Sequence, residues 1–142
     1  MTDLESRIRD SFEKQGFLRT VRATLVSVEA GAVEIHMPIH EGVSQQHGFV
    51  HAGVVSALGD TAAGYAAMSL LPDGAEVLTA EFKINLLAPA RGEELVARGR
   101  VLRRGRTLSV AAADVFALAA GQETCVATLL VTIVGRERPP AA

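Results

Sequence analysis

The residue with the clearest capacity for chemistry is Asp60, because it places a carboxylate in an otherwise uncharged segment. Apart from this aspartate, residues 52–68 are small, apolar or neutral. That composition is typical of a helix covered by the rest of the fold over most of its circumference. A carboxylate there costs several kcal/mol unless it is hydrogen-bonded, neutralised or placed at a wet cleft. Asp60 is therefore a candidate catalytic group, with a structural carboxylate as the alternative.

The segment before this helix, residues 45–53, is rich in polar side chains and glycine, as expected for a loop at a site. The N-terminus of a helix presents unpaired N–H groups and a partial positive charge, which suit a developing oxyanion. Gly53 lies in the first turn, where the lack of a side chain would let a ligand approach the backbone. For His51 two interpretations stay open, direct contact with a substrate or a hydrogen bond to the loop backbone.

Composition limits the class of protein. The 142 residues suffice for one domain with a substantial core, and the formal net charge of −2 gives no support to a nucleic-acid binder. Cys125 is the sole cysteine, so no internal disulfide can form, and its apolar surroundings predict a core thiol. The first residues do not resemble a signal peptide, and no apolar stretch suits a membrane span. We therefore expect a cytoplasmic protein that binds neither nucleic acid nor membrane.

Periodic hydrophobicity predicts the elements that position these groups. Residues 3–15 form a short amphipathic helix, and 52–68 form the long apolar one. Alternation of apolar and polar residues predicts six strands, at 19–27, 33–39, 78–86, 94–102, 107–118 and 125–133. Within 78–86 this alternation assigns Leu78 and Phe82 to one face and Thr79 to the other. The predicted fold is α+β in a single domain, 1–142: a curved antiparallel sheet, with its last four strands joined by short turns, wraps the apolar helix, and a frayed tail follows at 136–142.

One motif resembles a known family. The run His51-Ala52-Gly53, followed nine residues after the histidine by Asp60, is similar to the HGG…D signature of the phenylacetate-degradation (PaaI-type) acyl-CoA thioesterases. Residues 81–90, 92–93 and 105–108 support the resemblance, which covers roughly residues 16–134. It implies the hotdog fold, in which a curved sheet encloses one long helix.

The resemblance also implies roles for individual residues. Asp60 would attack the thioester or activate water, and the backbone amide of Ala52 would polarise the thioester carbonyl. Gln45 would help to hold the carbonyl or the water, and Thr79 would orient the water. Two positions depart from the family pattern: Ala52 replaces the first glycine, and Gln45 replaces the commoner asparagine. Both departures affect the size of substrate that the site accepts.

Further residues are candidates for binding the substrate. The basic turn with Arg104, Arg106 and Thr107 would suit the phosphates of coenzyme A, with a solvated turn as the alternative. Gly48 is assigned to the same substrate-binding group. Tyr65 and Met68 are expected to pack in the core, with lining of the acyl pocket as the alternative.

No metal or separate cofactor is expected, coenzyme A being part of the substrate. The chain has four histidines, His36, His40, His47 and His51. None of them stands at a ligand spacing with a cysteine or a carboxylate.

Spacing along the helix predicts an assembly. Ala52 and Asp60 are eight residues apart, which is about 12 Å at roughly 1.5 Å per residue. One carbonyl carbon cannot contact both, so a second copy of the chain must supply one of them. The minimal active unit is then a homodimer with shared sites, and the resemblance implies that dimers pair into tetramers.

The predicted function is hydrolysis of a small or medium acyl-CoA, aromatic groups included, to the free acid and coenzyme A. A thiol with a pKa of about 8.5 leaves readily, so one carboxylate and an oxyanion hole can suffice. Two alternatives stay open. One is a hydratase or dehydratase acting on enoyl or hydroxyacyl thioesters, and the other is a non-catalytic acyl-CoA-binding protein.

Overall fold

A six-stranded antiparallel sheet curves around one long helix, as the alternating strands and the apolar helix predicted. The computed structural model describes residues 1–137. The helices are α1 (Asp3–Glu13), α2 (Gly16–Thr20) and α3 (Ala52–Met68), with a short 3-10 turn at Glu41–Val43. The strands are β1 (Thr24–Glu29), β2 (Ala32–Pro38), β3 (Ala75–Leu86), β4 (Glu94–Arg104), β5 (Leu108–Ala119) and β6 (Gln122–Glu137).

Glycines let α3 lie close against the sheet. A Cβ atom added to Gly99 of β4 would come within 2.3 Å of the Ala62 backbone. A Cβ added to Gly59 would lie 2.6 Å from a methyl group of Leu129 on β6. Because overpacking of this kind forces backbone shifts, both positions exclude larger residues. These contacts fix the rotation of the helix and, with it, the direction in which Asp60 points.

Helix α1 packs across the C-terminal end of α3. Ile8 and Phe12 are buried, as the amphipathic pattern predicted. The guanidinium group of Arg7 donates hydrogen bonds to the carbonyl oxygens of Met68 and Leu71, at 3.4 and 3.2 Å. The Met68 carbonyl also accepts from the Leu71 N–H, so Arg7 ties α1 to the end of α3 and to the turn that follows it.

The sequence between α1 and β2 differs from the prediction. Residues 16–20 form α2, and the first strand begins at Thr24 rather than at residue 19. The predicted hairpin is present, since β1 pairs with β2 antiparallel. Leu18 and Val21 are both buried. Their spacing of three fits one face of a helix, which a search for alternation over so short a window does not separate from a strand.

Strand β3 does not pair with the strand that follows it in the sequence, so the connection after it is not a short turn between neighbours. The order across the sheet is β1-β2-β4-β5-β6-β3, so β3 pairs with β6 and not with β4. The connection at 87–93 carries the chain across to β4, and backbone hydrogen bonds from Leu87 and Ala88 to the Val126 carbonyl hold its start. Strand β3 is therefore an edge strand.

A bulge in β3 overturns the predicted faces of that strand. The pairing with β6 shifts between Thr79 and Glu81. As a result Thr79 and Phe82, which pair with the buried Ile133 and Val131, both face α3. Leu78 lies on the opposite face and is 57 % exposed. One extra residue in a strand reverses the alternation beyond it, which a strict period of two cannot anticipate.

A second bulge corrects the prediction for Cys125. The pairing of β5 with β6 shifts between Val115 and Phe116. Val126 thereby takes the core position and is 1 % exposed, whereas Cys125 is only half-buried. Partial burial, reinforced by the charge of Asp114, raises the pKa of the Cys125 thiol. The thiol is thus held in its unreactive protonated form.

Strand β6 extends to Glu137, which pairs with Ala75, and so includes the first two residues of the predicted tail. The rest of that predicted tail lies outside the described residues. Within 1–137, no helix is both long enough and apolar enough to cross a membrane.

Candidate active site

The structure brings Asp60 and Thr79 together. The hydroxyl group of Thr79 donates a hydrogen bond of 2.7 Å to Oδ1 of Asp60. Burial raises the pKa of Asp60 above its ordinary value, and the hydrogen bond from Thr79 opposes this shift. The bulge in β3 is what turns Thr79 toward the helix. Asp60 is thus a partly desolvated carboxylate held in one orientation, as a nucleophile or base requires.

These two residues border a cavity of about 240 Å³ between α3, α1 and the start of β3, called here the Asp60 cavity. Tyr65 and Met68 line it while remaining largely buried. The sequence analysis did not single out several other lining residues. They are Ser11, Gln15, Thr61, Gly64, Glu76 and Val77. Gly64 follows Asp60 by four residues and so lies on the same helix face, a signal that the sequence already contained.

Gln45, His51 and Ala52 border a different cavity, of about 530 Å³, called here the loop cavity. The side-chain oxygen of Gln45 accepts hydrogen bonds from the backbone N–H groups of His47 and Phe49. That oxygen is therefore used within the loop. The side-chain nitrogen of Gln45, Nε2, has no hydrogen-bond partner among residues 1–137. This nitrogen can therefore donate a hydrogen bond to a carbonyl oxygen.

At the start of α3, His51 is the N-cap. Its Nδ1 accepts a hydrogen bond of 2.8 Å from the Gly53 N–H, so the neutral ring carries its proton on Nε2. Of the two interpretations of His51, the structure shows the bond to backbone. A Cβ on Gly53 would lie 3.0 Å from this ring nitrogen. The missing side chain therefore leaves room for the cap, and the Gly53 N–H is already occupied by it.

The Ala52 N–H is different, because no acceptor within residues 1–137 lies in hydrogen-bond distance of it. Ala52 is exposed at the mouth of the loop cavity. It is the first residue of α3, where the helix gives the N–H no partner. A carbonyl oxygen placed here would receive this hydrogen bond together with the positive end of the helix dipole.

Replacing His51 with alanine should lower the free energy of unfolding by about 1 kcal/mol, because the first turn of α3 loses its cap. His51→Asn is the matched control, since an asparagine oxygen can accept from the same N–H and should restore most of the loss. Urea denaturation of the three proteins measures the difference. Equal stability of the alanine variant and the wild-type protein would show that the 2.8 Å hydrogen bond between His51 and Gly53 does not stabilise α3.

Gly48 closes the loop turn. Its φ angle is 84°, in the left-handed region that favours glycine, and its N–H donates to the carbonyl of Gln45 at 3.0 Å. No atom lies within 4 Å of the position of an added Cβ. The turn accounts for this glycine, and its outer side is open.

The basic turn lies far from Asp60 within one chain. Arg104 pairs with Ser109, Ser109 with Ile133, and Ile133 with Thr79. Three strand spacings of about 4.8 Å put Arg104 roughly 14 Å from Thr79. Arg106 and Thr107 follow in the exposed turn, and neither of the two arginines makes an ion pair within the described residues.

One chain does not bring the two halves of the predicted site together. Thr79, near the start of β3, borders the Asp60 cavity, and Leu86, at its end, borders the loop cavity. Seven residues of strand separate them by about 23 Å. Asp60 and the Ala52 N–H are accordingly in separate cavities.

Within residues 1–137 no three His, Cys, Asp or Glu side chains converge on a position for a metal ion. His36 instead lies between the carboxylates of Glu34 and Glu94, at 2.7 and 3.2 Å. Its ring nitrogens are both engaged by these contacts.

Comparison with known proteins agrees with the fold and the motif. A thioesterase family protein from Silicibacter pomeroyi, solved by crystallography, has 44 % identity and a TM-score of 0.91, covering 93 % of this chain and 97 % of that one. Acyl-coenzyme A thioesterase 13 of Homo sapiens is 31 % identical over 71 % of this chain and 72 % of its own length. The PaaI protein of the E. coli phenylacetic acid degradation operon, at 20 % identity, TM-score 0.83 and coverage of 92 % and 91 %, shares the fold. The family model of the thioesterase superfamily matches residues 47–128, from the loop into the first part of β6, and the chain belongs to that superfamily.

Proposed function

We propose that this protein hydrolyses acyl-CoA thioesters to the free acid and coenzyme A. Thioester hydrolysis is the chemistry of its superfamily, and the finer proposal concerns the thiol and the catalytic groups. The observation that carries it is a desolvated carboxylate, Asp60, held by Thr79, together with an unpartnered N–H at the start of the same helix. The relatives named acyl-coenzyme A thioesterase support coenzyme A as the thiol.

In the proposed reaction the thioester carbonyl oxygen accepts a hydrogen bond from the Ala52 N–H, and the Gln45 amide nitrogen assists. The carboxylate of Asp60 then removes a proton from a water molecule that attacks the carbonyl carbon. Alternatively it attacks that carbon itself and forms an acyl anhydride, which water hydrolyses to the free acid and the Asp60 carboxylate after the thiolate has left. Charge develops on the carbonyl oxygen, where the helix N-terminus stabilises it. The thiolate of coenzyme A leaves without a strong general acid, because its pKa of about 8.5 is low. No further cofactor takes part.

The two halves of the site belong, in this proposal, to two copies of the chain. Strand β3 is an edge strand, with the Asp60 cavity at its start and the loop cavity at its end. Antiparallel pairing of two β3 strands about a two-fold axis at Phe82 would, with the bulge between Thr79 and Glu81, set Thr79 opposite Ile84 of the partner subunit, two residues from the end of that strand. The Asp60 cavity of one copy would then adjoin the loop cavity of the other, twice per dimer.

The exposed side chains of this edge support the pairing. Leu78, Phe82 and Leu86 are 57 %, 42 % and 54 % exposed. A long edge strand with large apolar side chains is a template for another strand, and proteins normally cover or charge such an edge. A second copy of β3 would extend the sheet and cover Phe82 and Leu86.

Two further parts of the proposal concern the surface. Arg104, Arg106 and Thr107 would contact the phosphates of coenzyme A, an assignment supported by two cations without ion pairs in an exposed turn. Dimers would pair into a tetramer through the outer sheet face, where Leu108 and Leu130 are about half exposed.

Release of free thiol from a panel of acyl-CoA esters tests the proposed function. We expect turnover with at least one small or medium acyl group. A hydratase would instead consume the double bond of crotonyl-CoA without releasing thiol, and a binding protein would retain the ester unchanged. Either of those results would replace the proposed function by its alternative.

A further inference from the structure

Gly64 is a buried glycine in the interior of α3, one turn beyond Asp60. Glycine is less favourable than alanine at such a position, because it gains conformational freedom in the unfolded chain. Its φ angle is not in the left-handed region, so the backbone does not require it. Some other reason must account for the missing side chain.

Packing within the chain does not supply that reason. Gly59, also in α3, has a clear one, since an added Cβ would lie 2.6 Å from Leu129. At Gly64, apart from its chain neighbours and the backbone of α3 itself, no atom of the described residues lies within 4 Å of the added Cβ, although the residue is buried. The position faces the empty Asp60 cavity. No side chain of the described residues therefore fills the space beside Gly64.

We propose that the acyl group of the substrate occupies the space beside Gly64, and that Gly64 and Met68 set the size and length of acyl group that the enzyme accepts. This inference rests on the proposed function, because it uses Asp60 as the residue at the reacting carbonyl. Beyond that function, the inference assigns the binding of the acyl group to Gly64 and Met68, which take no part in the reaction itself.

The stripe formed by Asp60, Gly64 and Met68 gives the acyl site its length. These residues are spaced by four and lie on one helix face, about 6 Å apart per step and about 12 Å from end to end. An acyl chain that starts at Asp60 thus passes Gly64 and meets Met68. With carbon–carbon bonds of about 1.5 Å, a zigzag chain advances about 1.3 Å per carbon. Because the side chain of Met68 occupies the last part of the roughly 12 Å, about eight carbon atoms fit.

Helix α1 supplies the wall opposite α3. Ser11 and Gln15 line the Asp60 cavity and hold the hydroxyl group of Tyr65, at 3.1 and 2.7 Å. The ring of Tyr65 is also packed against Phe12, with 5.8 Å between ring centroids. The contacts of Ser11, Gln15 and Phe12 with Tyr65 therefore hold this wall in place. These three residues precede residues 47–128, which the superfamily model matches.

Volume and charge define the class of acyl group. A cavity of about 240 Å³ exceeds the ~150 Å³ in which a protein can hold a benzene ring. One ring or a short aliphatic chain fits, whereas a long fatty acyl chain does not. The carboxylate of Asp60 borders the space, so an acyl group with its own carboxylate is repelled. The expected substrates are uncharged acyl groups of up to about eight carbons or one ring.

The substitution Gly64→Ala tests the inference. A methyl group would fill part of the acyl site, so kcat/KM for hexanoyl-CoA and phenylacetyl-CoA should fall at least tenfold, while that for acetyl-CoA should change less than twofold. The unfolding temperature should rise, because alanine favours the helix. Ser6→Ala is the control, since it also places alanine in a helix, at a position that does not border the cavity, and it should leave all three rates unchanged.

Met68→Ala tests the other end of the site. It should raise the ratio of kcat/KM for decanoyl-CoA to that for hexanoyl-CoA at least fivefold. Equal effects of Gly64→Ala on acetyl and hexanoyl esters, or none on either, would overturn the inference while leaving the proposed function intact. If the wild-type protein releases thiol from none of these esters, both fail. A wild-type preference for decanoyl-CoA or succinyl-CoA would contradict the acyl site alone.

Discussion

Replacing Asp60 with asparagine is expected to lower kcat for thioester hydrolysis by at least about a hundredfold. Asparagine keeps the shape of the side chain and an oxygen that can accept the hydrogen bond from Thr79. It cannot attack the carbonyl or accept a proton from water. Thiol release at saturating substrate measures the loss. Turnover close to that of the wild-type protein would exclude the carboxylate from the reaction.

The pH dependence of the rate gives an independent check on the same carboxylate. Only ionised Asp60 can act, and burial raises its pKa. The rate should therefore increase with pH through this raised value, and not near the ordinary value for an aspartate. Removing the opposing hydrogen bond with Thr79→Val should move the acid limb of the profile to higher pH. A limb that stays in place would show that Thr79 does not stabilise the ionised form.

The raised pKa of Asp60 also predicts the direction in which Asp60→Asn changes the stability of the fold. Because the pKa of Asp60 is raised on folding, the folded chain binds this proton more tightly than the unfolded chain. The resulting contribution to stability is complete below the unfolded pKa and is lost as pH rises through the folded value. Asp60→Asn should then unfold at a higher temperature than the wild-type protein at neutral pH, with a smaller difference in acid. A variant that is both inactive and less stable at neutral pH would point to a structural carboxylate.

The second large effect is expected from Ala52→Pro, which replaces the N–H at the start of α3 by a ring methylene group. Ala52 is the first residue of α3, where proline is well tolerated. The preceding His51 has φ −59° and ψ 134°, values compatible with a following proline. Loss of one oxyanion donor should reduce kcat by about 10²–10³-fold. Thiol release measures the change.

The control for that substitution is Ala52→Gly, which keeps the N–H and also restores the glycine of the family motif. Its kcat should stay within a few-fold of the wild-type value. Thermal unfolding should show that the proline variant keeps its fold. Full activity of the proline variant would mean that another donor holds the carbonyl.

The helices and strands could be predicted where the periodicity of apolar residues along the chain is enough to identify them. The apolar run around Asp60 predicted a wrapped helix, and alternation predicted the strands that wrap it. The spacing from Ala52 to Asp60 was enough to infer that one chain cannot place both at one carbonyl. These inferences need only the geometry of helices and strands.

The errors arose where contacts distant in sequence decide the structure. A bulge turned Thr79 toward α3 and moved Cys125 off the core, because pairing with β6 and β5 sets the register. The pairing of β3 with β6 reflects the whole sheet and not the turn that follows β3. None of these features leaves a signal within one strand or one loop.

Mixing Asp60→Asn chains with Ala52→Pro chains tests the shared site most directly. In a heterodimer of these two variants, one site combines Asp60 of the second chain with Ala52 of the first and is fully wild-type, while the other site lacks both groups. Two tags and a two-step purification yield heterodimers free of either parent dimer. The account predicts that they recover about half the wild-type rate. Heterodimers as inactive as their parents would contradict it.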